Sequence, residues 1–156
     1  MQADAKINLS PFPMEDLKWR PVVPWGKAYR RRLIVENGLL FDEVRYSNDV
    51  MFALRSNMAA SKIRIIGDVG YSVTRRPGSL TETRTRNSFL AKYDVFLRSH
   101  QFLRTHGAGS GDSSLLSICA SALRFGPRTV LEVWRRGREA KVPLLAPSLR
   151  GQPGGC

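Results

Sequence analysis

The chain has 156 residues, the size of one domain or part of one, and 42% of them are hydrophobic, enough to bury a core. Its 25 basic and 13 acidic residues leave a net charge of +12, which favours anionic partners: nucleic acid, phospholipid or phosphorylated small molecules. No apolar run is long enough for a transmembrane helix, Met1 to Ser10 lacks the basic start and apolar core of a secretion signal, and Cys119 and Cys156 fit neither a disulfide framework nor a metal knuckle, so the composition points to a reducing, cytoplasmic setting.

Residues 1–24 hold Pro11, Pro13, Pro21 and Pro24 and read as a connecting segment. From Ala28 to Asn37 a short helix is expected, with Gly38 where a left-handed residue ends it. Ser47, Asn48 and Asp49 are three consecutive N-cap formers, and Val50, Phe52, Ala53, Leu54 and Met58 follow at helical spacing as far as Ala60. Lys62 to Ile66 alternates charge with isoleucine, and Tyr71 to Thr74 repeats the habit, which predicts two short strands around Gly67. Arg75, Arg76, Pro77, Gly78 and Ser79 form a basic turn. Phe89, Tyr93, Phe96, Leu97, His100 and Leu103 draw one apolar stripe along a helix of about five turns. Gly107 to Asp112 interrupts it. Ser113 or Ser114 then caps a helix carrying Leu115, Ile118, Cys119 and Ala122, and Pro127 suits the first turn of another that runs through Trp134. Residues 143–156, rich in Pro and Gly, read as a flexible tail.

Several chemistries are excluded by spacing. Gly107-Ala108-Gly109-Ser110-Gly111 follows a helix rather than a strand and lacks the Lys-Ser/Thr ending of a phosphate loop, so it reads as a hinge. Ala108 rules out a nucleophile elbow there. His100 and His106 have no acidic or thiol ligand at a zinc spacing, and His100 reads as a core residue on the apolar stripe. The aspartates never occur as Asp-x-Asp, so the chain contains no evident carboxylate pair for Mg²⁺ or Mn²⁺.

The informative stretch runs from Trp25 to Leu80. It contains Trp25-Gly26-Lys27-Ala28-Tyr29-Arg30, Gly38-Leu39-Leu40-Phe41-Asp42-Glu43, Tyr46-Ser47-Asn48-Asp49-Val50-Met51-Phe52, and Tyr71-Ser72-Val73-Thr74-Arg75-Arg76-Pro77-Gly78-Ser79-Leu80. This order resembles the second, acceptor-side half of bacterial family 2 glycosyltransferases of the GT-A type. The resemblance implies an α/β fold: a partial GT-A domain over residues 25–106 with a small sheet, followed by a helical extension over 107–142. It also implies an inverting transfer from a nucleotide-sugar donor to a polysaccharide or lipid-linked acceptor. In such enzymes a divalent cation, Mg or Mn, is held by the nucleotide-binding half, which has no counterpart in this sequence, so a partner chain would have to supply it.

In that family the aspartate aligned with Asp49 looks like the general base. The chemistry agrees: an attacking hydroxyl must lose its proton as the glycosidic bond forms, and a carboxylate within hydrogen-bond reach can take it. A helix amino terminus keeps such a carboxylate ionised. Asn48 stands where many relatives have glutamate, and is a substrate-binding candidate beside it. The other reading of Ser47, Asn48 and Asp49 is a plain helix cap, worth about 1 kcal/mol. Lys27, Arg75 and Arg76 are candidates for holding the diphosphate or an anionic acceptor. Ser79 can add a hydroxyl contact and Trp25 a ring to stack on a sugar; solvated charge, turn and core packing are the competing roles.

Between Leu123 and Arg150 arginines interleave with Leu123, Phe125, Val130, Leu131, Val133 and Trp134, a mixture that suits a helix on an anionic membrane better than a nucleic-acid patch. A solvated basic face is the alternative. The expectation is therefore a cytoplasmic glycosyltransferase, peripheral at the inner face of the cell membrane. The rival is a small basic protein that binds nucleic acid or a membrane surface without catalysis.

Overall fold

A computed structural model describes residues 23–24, 26–64, 84–107 and 113–145. Every regular element among them is helical: α1 (Arg31–Glu36), α2 (Val50–Ala59), α3 (Arg86–Thr105), α4 (Leu115–Ala122), a 3₁₀ turn (Leu123–Phe125) and α5 (Pro127–Glu139). The described residues fall into two compact units, one containing 23–24, 26–42 and 49–64, the other 43–48, 84–107 and 113–145.

This corrects the expected α/β architecture: the described residues contain no strand and no sheet, so the partial GT-A fold with a small sheet is not what they form. Lys62, Ile63 and Arg64 have no strand conformation, and the remainder of the two expected strands lies outside the described residues. The physical reason lies in the nature of strand signals. Alternation over a few residues fixes which side chains share a face, but a strand exists only when a neighbour takes up its N–H and C=O groups, and an isolated pair of short strands is marginal. No such neighbour stands beside Lys62–Arg64 among the described residues.

In the first unit, α1 is only six residues long and buries none of them, so it depends on its ends. The Asn37 side chain donates to the Leu33 carbonyl at 2.9 Å. Gly38 then turns at φ +56°, letting Leu39 N donate back to the Ile34 carbonyl at 3.0 Å. Leu39 is buried as a result. The helix α2 carries the unit's core, with Met51, Phe52, Ala53, Leu54, Ser56 and Asn57 all buried. Ser56 avoids an unmet hydroxyl by donating to the Phe52 carbonyl at 2.7 Å. Phe52 stacks on Phe41 at 4.2 Å and meets Tyr29 edge-on at 5.5 Å.

In the second unit, α3 begins with a capping box. Ser88 N donates to Thr85 Oγ1 at 3.1 Å, and Thr85 N donates to Ser88 Oγ at 3.0 Å. Ser114 caps α4 by accepting from Ser117 N at 3.1 Å. The 3₁₀ turn ends at Gly126, φ +90°, and Pro127 opens α5 where a missing N–H costs nothing. Tyr93, Leu115, Cys119, Ala122, Val133 and Val142 form the core, with Phe89, Phe96, Leu97, Ile118 and Val130 packed against it. After α5 the chain returns to the start of α4, where the Pro143 carbonyl accepts from Leu115 N at 2.8 Å and the Leu144 carbonyl from Leu116 N at 3.3 Å. Arg136 pairs with Asp94 of α3, and Arg86 of α3 reaches Thr129 Oγ1 at 2.9 Å and Glu132 at 2.8 Å.

Candidate functional site

The triplet expected to start a helix does precede α2, but it does not cap by side chain. Ser47 turns the chain at φ +55°, an uncommon conformation for a residue with a Cβ. Asp49 follows with helical backbone angles, φ −87° and ψ −18°, and its carbonyl accepts the first helical bond from Ala53 N at 2.9 Å. A capping side chain needs an extended backbone to swing back over the first turn. With Asp49 already helical, its carboxylate makes no cap hydrogen bond. It is half-buried, pairs with no cation among the described residues, and sits by the unbonded N–H groups at the positive end of α2. No hydrogen bond or ion pair among the described residues consumes its acceptor capacity, which leaves it able to accept a proton or a hydrogen bond from a ligand.

Lys27 belongs to the same unit as Asp49 and is partly buried, which pushes its ammonium below the usual lysine range. Tyr29, two residues on, has a hydroxyl buried without a hydrogen bond among the described residues, and burial raises its pKa. Such a group is costly to leave unmet. Phe41 stacks on Phe52 and is about half exposed, giving the unit an open aromatic face. Tyr29 and Phe41 lie within the motif stretch, yet nothing in their spacing separates them from ordinary core residues.

Asn48 is exposed and lies in the second unit, as does Tyr46, which precedes it in the motif. The Tyr46 ring is approached by Lys92 of α3 at 5.5 Å and by Arg45 at 5.9 Å, cation–π contacts that tie this part of the motif to α3. Trp25, Arg75, Arg76 and Ser79 lie outside the described residues. The structure thus places Lys27 and Asp49 in the first unit and Asn48 in the second.

His100 follows the packing reading. It is buried and stacks on Phe96 at 6.0 Å, while exposed His106 bonds the Phe102 carbonyl through Nδ1 at 2.8 Å. Cys119 is buried and burial raises its thiol, which suppresses reactivity. Among the described residues, no three His, Cys, Asp or Glu side chains gather closely enough to hold a metal ion. No described helix is long and apolar enough to cross a membrane. No family model matches the chain, and no curated protein or solved structure matches it.

Proposed function

We propose that the chain is the acceptor-side portion of an inverting glycosyltransferase, with Asp49 as the general base. The observation that supports this reading best is the carboxylate of Asp49, half-buried at the start of α2 and not spent on capping it. The order of the four motifs between Trp25 and Leu80 adds the identity of the reaction. In the proposed step the acceptor hydroxyl gives its proton to Asp49 as its oxygen bonds to the anomeric carbon. The bond from that carbon to the nucleoside diphosphate breaks on the opposite face, and the electron pair leaves with the phosphate. Lys27, with Arg75 and Arg76, offsets the charge gathering on the leaving group, while Asn48, Ser79 and Trp25 hold the saccharide. No step is assigned to a metal ion in this chain.

The donor would be a nucleotide sugar, the acceptor a polysaccharide or a lipid-linked saccharide, and the place of action the cytoplasmic face of the cell membrane. A partner segment that binds the nucleotide would complete the active form. The deciding experiment is a coupled assay of nucleoside diphosphate release, with the chain supplied alone and together with a nucleotide-binding segment encoded beside it. Release that requires both parts and is lost in Asp49→Asn supports the proposal. Release unaffected by that substitution removes Asp49 from the mechanism.

A further inference from the structure

The helix α5 presents two unlike faces. Thr129, Val133 and Gly137 are buried against the second unit's core, as a four-residue spacing requires. On the opposite side Leu131 is 69% exposed and Trp134 38% exposed, so α5 presents apolar surface there. Arg128, Arg135 and Arg138 flank them and are also exposed. The acidic residues of α5 offset only part of this charge. Glu132 is engaged by Arg86 at 2.8 Å and Arg136 at 3.7 Å, and Glu139 stands 3.8 Å from Arg135. Arg128 and Arg138 therefore have no carboxylate partner among the described residues.

We infer that this face of α5 docks on an anionic lipid bilayer, with Leu131 and Trp134 seated at the headgroup boundary and Arg128 and Arg138 on the lipid phosphates. The charge pattern selects the occupant. A second copy of the chain would set these arginines against their own copies in a protein of net charge +12. Nucleic acid would use the arginines but would leave Leu131 in water. A bilayer interface accepts both at once: tryptophan settles at headgroup depth, and arginines bend their charged ends outward to phosphate. The inference rests on α5 alone and is independent of the chemistry of Asp49.

The test is co-sedimentation of the full chain with vesicles of phosphatidylcholine, with or without phosphatidylglycerol, at physiological salt. Binding is expected only with phosphatidylglycerol present. Leu131→Ser should weaken it about tenfold, and Arg128→Gln or Arg138→Gln about fivefold each. Brominated lipid should quench tryptophan emission in the unaltered chain, and the quenched component should vanish in Trp134→Phe. Circular dichroism should show all these variants folded, because the altered side chains point away from the core. Asp49→Asn should bind vesicles normally, which separates this outcome from that of the transfer assay. Equal binding to neutral vesicles, binding indifferent to Leu131→Ser, a dimer dissolved by Leu131→Ser, or tighter binding to duplex DNA than to vesicles would each overturn the inference.

Discussion

Gly137 of α5 lies directly against the Leu115 side chain of α4, so close that a Cβ at residue 137 would overlap the leucine methyl groups and stand 2.7 Å from the Tyr93 hydroxyl. Leu115 is fully buried and has nowhere to retreat. Alanine gains about 1 kcal/mol over glycine inside a helix, but forcing a methyl into a filled core costs about 1–3 kcal/mol. With backbone contact this tight the second effect should win. Gly137→Ala is expected to lower stability by up to about 2 kcal/mol in urea unfolding, and a raised midpoint would contradict the packing.

Tyr93 ties the same region together by donating to the Val133 carbonyl at 2.8 Å. Burial raises its pKa from 10.0 to about 12, helped by Cys119 and Asp94 and opposed by Arg136. The folded state therefore holds the proton more tightly than the unfolded chain does. Stability from this group is complete below the unfolded value and should decline as pH rises from 10.0 toward about 12. Tyr93→Phe should cost about 1 kcal/mol at neutral pH through the lost hydrogen bond, and should flatten this alkaline decline. Thermal melts of both proteins across that range provide the check.

The capping box at the start of α3 makes Thr85 a stability residue rather than a loop position. Thr85→Ala should cost about 1 kcal/mol, and Thr85→Asp, which retains a capping oxygen, should recover most of it. Chemical denaturation of the two variants distinguishes this from a general surface effect.

Asp49 yields a paired expectation. Because its side chain makes no cap hydrogen bond, Asp49→Ala should change folding stability by less than about 0.5 kcal/mol. On the proposed transferase reading, with the nucleotide-binding part supplied, Asp49→Asn should reduce turnover by about two orders of magnitude or more. A large stability loss on substitution would instead make Asp49 a structural residue.

The helices were the legible part of the sequence, and the reasons are local. Gly38, Ser114 and Pro127 each mark a boundary by backbone chemistry that needs no distant partner, and the structure uses each as expected. The stripe from Phe89 to Leu103 indicates α3, although its start at Arg86 is hidden because Ser88, rather than glutamate or glutamine, closes the capping box. The helix α5 runs on to Glu139, beyond Trp134, across a glycine that weakens any local helix signal. Tertiary packing against Leu115 explains that glycine, and no window along the chain reveals it.

Strand formation at Lys62–Arg64 depends on a pairing neighbour, so alternation alone misleads there. The site was legible only in part. Asp49 is marked by its place at a helix start, yet whether its carboxylate caps or remains available depends on a backbone angle that residue type does not fix. The hydroxyl of Tyr29 and the open ring of Phe41 become visible only once Phe52 gathers them.

The two carbonyls of Pro143 and Leu144 that meet the first N–H groups of α4 join the ends of the α4–α5 hairpin into a ring. Residues 140–145 thus act as a clasp on α4. Cutting the chain just past Glu139 would strip two acceptors from α4 and the buried Val142 from the core, springing open a hairpin whose own helices had not been touched.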